Sequence, residues 1–435
     1  MADVMLMALT LLAIVLSAPA LTDTRNILRL DVASGLMIAA WLLPQAYPLR
    51  NDPFSWYYDL TFTYGYVIVC IVMLAVGSLI GRRLAERHLA SLTLAQQLAP
   101  VQRYDQKRLA IAALAMTGVG GVAFALMARE AQNFGVQDQW TGVITLYHLL
   151  SQFMIFGGAL GILVYMQYKE KWGLVAYIAM IVVAVPIVVM FVRRSVLFQI
   201  GTITLGAFML NKGMRLPRLP LALVLAISVI ILNGAGPIRQ HILYEGGNIV
   251  TAFTDGAIFR ETFTEDKFFF SAELKSATSD IEIARATNHY KPFVMLWNIA
   301  VSQYVPGFLI GDAAKASLFI ADENRSVYQS YFAEGATRTG FAESFTGYSY
   351  FGPFIYLIIG ILFGRLWILT TRNDIRAQHI YLVFLLYSLL TITESISRMV
   401  VTAPIILTSI WLSFKFAQRR PTKHTPMVGG ISLPG

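Results

Sequence analysis

Residues 191–200, FVRRSVLFQI, set Arg193 and Arg194 side by side between two strongly apolar stretches. Arg239, Arg260 and Arg338 lie in the long polar segment 234–348, and Arg398 follows Glu394 by four residues in TITESISRMV. A guanidinium stays charged at any working pH, and its planar fork grips two oxygens of a phosphate at once. Several arginines returning to one face of an oily chain therefore point to an anionic ligand. Two bland readings compete with this. Arg193 and Arg194 can snorkel toward lipid headgroups, and Glu394 with Arg398 can be a plain i,i+4 ion pair at a helix end.

Little else in the chain offers chemistry. There is no Walker A loop, no G-x-S-x-G elbow and no H-E-x-x-H metal motif. The GVGG of residues 118–121 sits inside an apolar run, where it reads as helix packing rather than a phosphate loop. The six histidines are scattered; His241 and His289 fall in the polar segment with no ligand spacing between them. The one cysteine, Cys70, excludes an internal disulfide. No metal or other cofactor is expected.

The elements that must position these residues follow from composition. The 435-residue chain is 56% hydrophobic and 14% charged, with a mean hydropathy of +0.60. Apolar runs long enough for a 30 Å hydrocarbon layer recur from end to end. The expectation is an all-α polytopic membrane protein with about 11 transmembrane helices. The spans fall at 4–21, 30–47, 59–81, 108–128, 141–166, 173–192, 196–210, 219–233, 349–368, 379–396 and 399–417. The basic pI near 9.5 fits cytoplasmic retention of Lys and Arg better than nucleic-acid binding. Counting sides from the cluster Arg82, Arg83, Arg87, Arg103, Lys107 and Arg108 puts every basic cluster inside. The same parity leaves the N-terminus outside, the C-terminus inside and segment 234–348 outside. The SAPA ending at residue 20 resembles a signal-peptide cleavage site, but no basic n-region precedes it, so the first span is read as retained. The whole chain reads as one integral membrane domain, 1–435, with 234–348 as a large loop within it. Its stretch 259–277 is expected to lie on the membrane surface and, with the helix SDIEIARATNHY, to cover an outward cavity.

Several of these stretches together resemble a known family. VRRSVLF (192–198), the long external loop, DIEIARATNHY followed by SQYVPGFLIGDAAK, the run ATRTGFAESFTGYSYFGPFIYLIIGILFG (336–364) and ESISRMV (394–400) are similar to the Wzy-type O-antigen polymerases, which join oligosaccharide repeat units. The similarity covers residues 185–415, and the R-x(10)-G pattern of some members is absent from the external loop.

The resemblance implies a GT-C-like fold in the bacterial inner membrane with a periplasmic active site. Its substrates would be oligosaccharides on undecaprenyl diphosphate. The hydroxyl of one lipid-linked repeat unit would attack the anomeric carbon of the growing chain, and undecaprenyl diphosphate would leave. That leaving group needs charge stabilisation more than protonation, which the six arginines would supply, and a single base would suffice. The base candidates are Glu343, Glu334, His241 and His289, with Glu343 favoured; Glu394, Tyr348 and Tyr350 would support the site. Partners would be membrane lipids and a chain-length regulator. An O-antigen ligase and a flippase of lipid-linked sugars remain the rival readings.

Overall fold

The computed structural model describes residues 1–50, 59–91, 104–131, 143–191, 194–211, 217, 273–321 and 339–418. Among them the chain is helical, apart from one β-bridge between Tyr104 and Gln418. Among the described residues, seven helices are long and apolar enough to cross a membrane: Ala2–Thr22, Leu30–Leu49, Leu60–Ser91, Gln106–Met127, Val143–Tyr168, Pro353–Thr370 and Ile396–Ala417. They mark the chain as membrane-embedded. Three shorter apolar helices, Lys171–Ala184, Val196–Leu210 and Ile375–Leu390, accompany them. These ten fall on expected spans, and the span at 219–233 lies outside the described residues. A helix closes its own backbone hydrogen bonds, so residues this apolar have no cheaper arrangement in lipid.

In chain order the main elements are α1 (Ala2–Ser17), α2 (Leu30–Met37), α3 (Leu43–Leu49), α4 (Leu60–Ser91), α5 (Gln106–Ala131), α6 (Val143–Tyr168), α7 (Lys171–Phe191), α8 (Arg194–Leu210), α9 (Glu273–Thr287), α10 (Val294–Tyr304), α11 (Gly340–Tyr348), α12 (Pro353–Thr370), α13 (Ile375–Leu390) and α14 (Ile396–Ala417). A π-helical turn, Ile38–Leu42, joins α2 to α3 within one span.

Backbone contact at small residues sets the packing, as expected where lipid and side chain are equally apolar. Helices α4 and α12 run parallel. A Cβ on Gly77 or Gly81 would collide with the Leu357 and Ile361 carbonyls, and one on Gly360 or Gly364 with those of Leu74 and Ser78. Gly360-x-x-x-Gly364 and Gly77-x-x-x-Gly81 are thus the two halves of one seam. Antiparallel α5 and α6 meet where Gly120 abuts Met154 and Gly157 abuts Ala113, and Gly161 of α6 abuts Gly173 of α7. Only part of GVGG packs in this way, because Gly118 faces open space.

These contacts define two ends of the bundle. At one end, Asn211 donates to Met166 O (2.8 Å) and Gln378 to Leu210 O (3.1 Å), while Asp105 N donates to Ala417 O (2.8 Å). At the other end lie the start of α6, α8 and α14 and the finish of α5 and α13.

Two expectations need correction. Helix α13 ends at Leu390 rather than 396. The hydroxyls of Thr391 and Thr393 turn back onto Ser388 O (2.7 Å) and Leu390 O (3.3 Å), competing with helical propagation. Ser395 then adopts an extended conformation as N-cap of α14. The second concerns the surface helix at 259–277. Residues 259–272 lie outside the described set, but 273–277 begin α9, most of whose residues are buried. Its Leu274 N–H donates to Gln45 Oε1 (3.0 Å) of the α2–α3 span. This part of the chain is wedged into the bundle rather than laid over it.

Candidate functional site

The turn 391–395 carries the polar centre. Glu394 stands in it and Arg398 in the first turn of α14, with Arg398 Nη1 donating to Glu394 Oε2 at 2.5 Å. The expected pairing is present, though it bridges a turn and a helix rather than one continuous helix. The Glu394 side chain is 16% exposed and that of Arg398 is 37% exposed. Such a pair is neither fully dry nor freely solvated, and one carboxylate oxygen leaves most of the five guanidinium N–H directions to other partners.

Both residues line a cavity of about 60 Å³ at this end of the bundle, several times the roughly 10–15 Å³ that one water needs. Its polar wall is His148, Ser151 and Gln152 of α6, Gln199 of α8, Tyr387 of α13, Glu394 and Arg398. Its apolar wall is Phe124 and Met127 of α5, Met154 and Ile155 of α6, Val196 and Leu390. A smaller cavity beside it is shared by His148, Gln152, Tyr387 and Arg398 and adds Leu149, Thr402 and, from α10, Gln303. Tyr387 is fixed by donating to Gln152 Oε1 at 2.7 Å. Five spans thus converge on a space that holds an arginine, a carboxylate and an imidazole, ringed by neutral hydrogen-bonding groups. Such a space can bind an anion and move a proton.

Glu343 lies behind this turn, not in the cavity. It sits on α11, whose N-cap Thr339 accepts from Ala342 N (3.2 Å). Glu343 is buried, with 7% of the residue exposed. Its Oε2 accepts from Ser395 Oγ (2.6 Å), both oxygens receive the Ser397 N–H (3.1 and 3.2 Å), and the Ser397 hydroxyl bonds Oε1. A negative group on the first N–H donors of α14 suits the positive end of that helix. Gly340 N–H donates to Thr391 O (2.9 Å), so α11 grips the turn at both of its ends.

The remaining expected residues are spread out. His289 is exposed, two residues after α9. Tyr348 meets Phe293 edge-on at 5.6 Å, Tyr350 meets Phe62 and Phe345 at 6.0 and 5.8 Å, and neither tyrosine lines the cavity. Burial first, and the Glu343 carboxylate second, hold the Tyr348 hydroxyl above its ordinary pKa. Arg194 opens α8, the helix whose Val196 and Gln199 reach the cavity. Arg193, Arg239, Arg260, Arg338, Glu334 and His241 lie outside the described residues. His148, Gln152, Gln199 and Tyr387 escaped the sequence reading. The spacing of His148, Ser151 and Gln152, i, i+3 and i+4 inside an apolar run, was the available signal.

Comparison with family models, with curated proteins and with solved structures yields no match for this chain.

Proposed function

We propose that this protein is a GT-C-like polysaccharide polymerase of the bacterial inner membrane. It joins oligosaccharide repeat units carried on undecaprenyl diphosphate, at the periplasmic face. The observation that carries the reading is Arg398, paired with Glu394 in a polar-lined cavity at one end of a bundle of apolar helices. The elements around it, α8 and α11 to α14, hold most of the stretches that resemble the polymerases.

In this reading Arg398 faces the diphosphate and Glu394 keeps the guanidinium oriented. As the acceptor hydroxyl oxygen bonds to the anomeric carbon, the bond from that carbon to the diphosphate oxygen breaks. The electron pair leaves with the diphosphate, where the fixed positive charge stabilises it. The hydroxyl proton must go to a base. Glu394 is committed to Arg398 and Glu343 to the start of α14, so His148 is the cavity residue suited to receive it.

Deleting the gene in its own host and separating the lipid-linked glycans on a gel tests the proposal. A polymerase leaves single repeat units on the carrier. Long polymer not attached to lipid A core would make the protein a ligase, and repeat units trapped inside would make it a flippase.

A further inference from the structure

A second charged cluster lies at the opposite end of the bundle. Asp31, in the first turn of α2, is held by Arg29 through Nη2 to Oδ2 (2.6 Å) and Nε to Oδ1 (3.3 Å), and by the Ser78 hydroxyl (3.3 Å). Arg82 of α4 approaches the same carboxylate only at 3.5 Å, and no hydrogen bond joins its guanidinium to a described residue. The side chains of Arg29, Arg82 and Asp31 are 17%, 16% and 8% exposed. Two guanidinium charges therefore share one carboxylate where water is scarce, and among the described residues no second acid lies within ion-pair distance of either. Burying a charge that is only partly paired is costly, and a second anion relieves that cost. Glu86, one turn further along α4, attracts Arg82 electrostatically, but it is exposed and beyond ion-pair distance, so water screens it.

We propose that Arg82, braced by Arg29 and Asp31, binds the phosphate of an anionic lipid headgroup. The stretch Leu60–Gly81 carries no charged residue, and at about 1.5 Å per residue it spans roughly the 30 Å hydrocarbon layer. Arg82 follows immediately, at the depth where lipid phosphates lie. A guanidinium with unengaged donors beside a partly neutralised neighbour fits one phosphate oxygen pair. The site is independent of the cavity and of the activity proposed for it.

The test uses the intact protein in detergent and native mass spectrometry with phosphatidylglycerol, phosphatidylcholine or inorganic phosphate as probe. Wild type is expected to retain one phosphatidylglycerol with about tenfold preference over phosphatidylcholine. Arg82→Gln should abolish the preference, whereas Arg83→Gln, which removes the same charge from the neighbouring exposed position, should keep it. If Arg82→Gln fails to fold, the wild-type thermal midpoint decides: phosphatidylglycerol must raise it more than phosphatidylcholine does. Equal retention of the two lipids, or equal loss of preference in both variants, overturns the proposal. Displacement of the lipid by millimolar inorganic phosphate would show that the site takes free phosphate and also overturns the lipid assignment.

Discussion

Glu343 and Glu394 hold one turn from two sides, and their substitutions should separate their roles. Glu343→Gln keeps the side-chain volume but removes the charge from the start of α14. Loss of charge-assisted hydrogen bonds at this buried position should lower stability by about 1.5–3 kcal/mol, while polymer formation stays within about tenfold of wild type. Loss of a general base would instead slow the reaction by about 10²–10⁴. Thermal unfolding and polymer ladders normalised to protein level separate these outcomes. Arg398→Lys keeps the charge and loses the fork, so it should slow polymerisation roughly tenfold to a hundredfold at unchanged protein level. A snorkelling arginine would tolerate lysine fully, and wild-type ladders from that variant would remove Arg398 from the site. At this scale the sequence was half legible. The Glu394–Arg398 pair is local and could be read directly. The partners of Glu343 are 52 and 54 residues away, and no spacing rule reaches that far. His148 hid for a similar reason, because five separate helices make its surroundings.

The apolar spans were the clearest signal among the elements, since hydropathy over some twenty residues needs no knowledge of neighbours. The limit came at 391–395. There the composition still reads apolar, but threonine hydroxyls compete for the carbonyls that a continuing helix would need. Glycines show the same division between local and tertiary information. Gly118 and Gly360 look alike in sequence, yet one faces open space and the other rests on the backbone of α4. Gly118→Ala should be neutral or stabilise by about 1 kcal/mol through helix propensity. Gly360→Ala must part α4 from α12 and should cost upwards of about 3 kcal/mol. Thermal midpoints of the two purified variants check the contrast, and a Gly360→Ala protein as stable as wild type would contradict the packing described for the seam.

For the whole molecule, the decisive question is which end faces out. The expected orientation puts the Arg398 cavity outside and Arg82 inside. His289 and Glu86 are both exposed and belong to opposite ends, while Cys70 is fully buried and should stay silent. In intact cells a membrane-impermeant thiol reagent should label His289→Cys, and it should label Glu86→Cys only after permeabilisation. The reverse pattern would invert the topology and leave the proposed periplasmic reaction without a site.

The parallel pairing of α4 with α12 also bears on how the chain is made. Parallel neighbours cannot be joined by a short turn, and here the interval is long: beside the seam, Tyr66 of α4 bonds Ser344 of α11 at 2.9 Å across 278 residues. At about 5–20 residues per second, a ribosome needs roughly fifteen seconds to a minute to cover that distance. Throughout that time the notched face of α4 meets only lipid or an insertion chaperone, and its true partner does not yet exist. Assembly therefore cannot follow the order of synthesis, and nascent chains arrested before residue 353 should be open to quality-control proteolysis at α4.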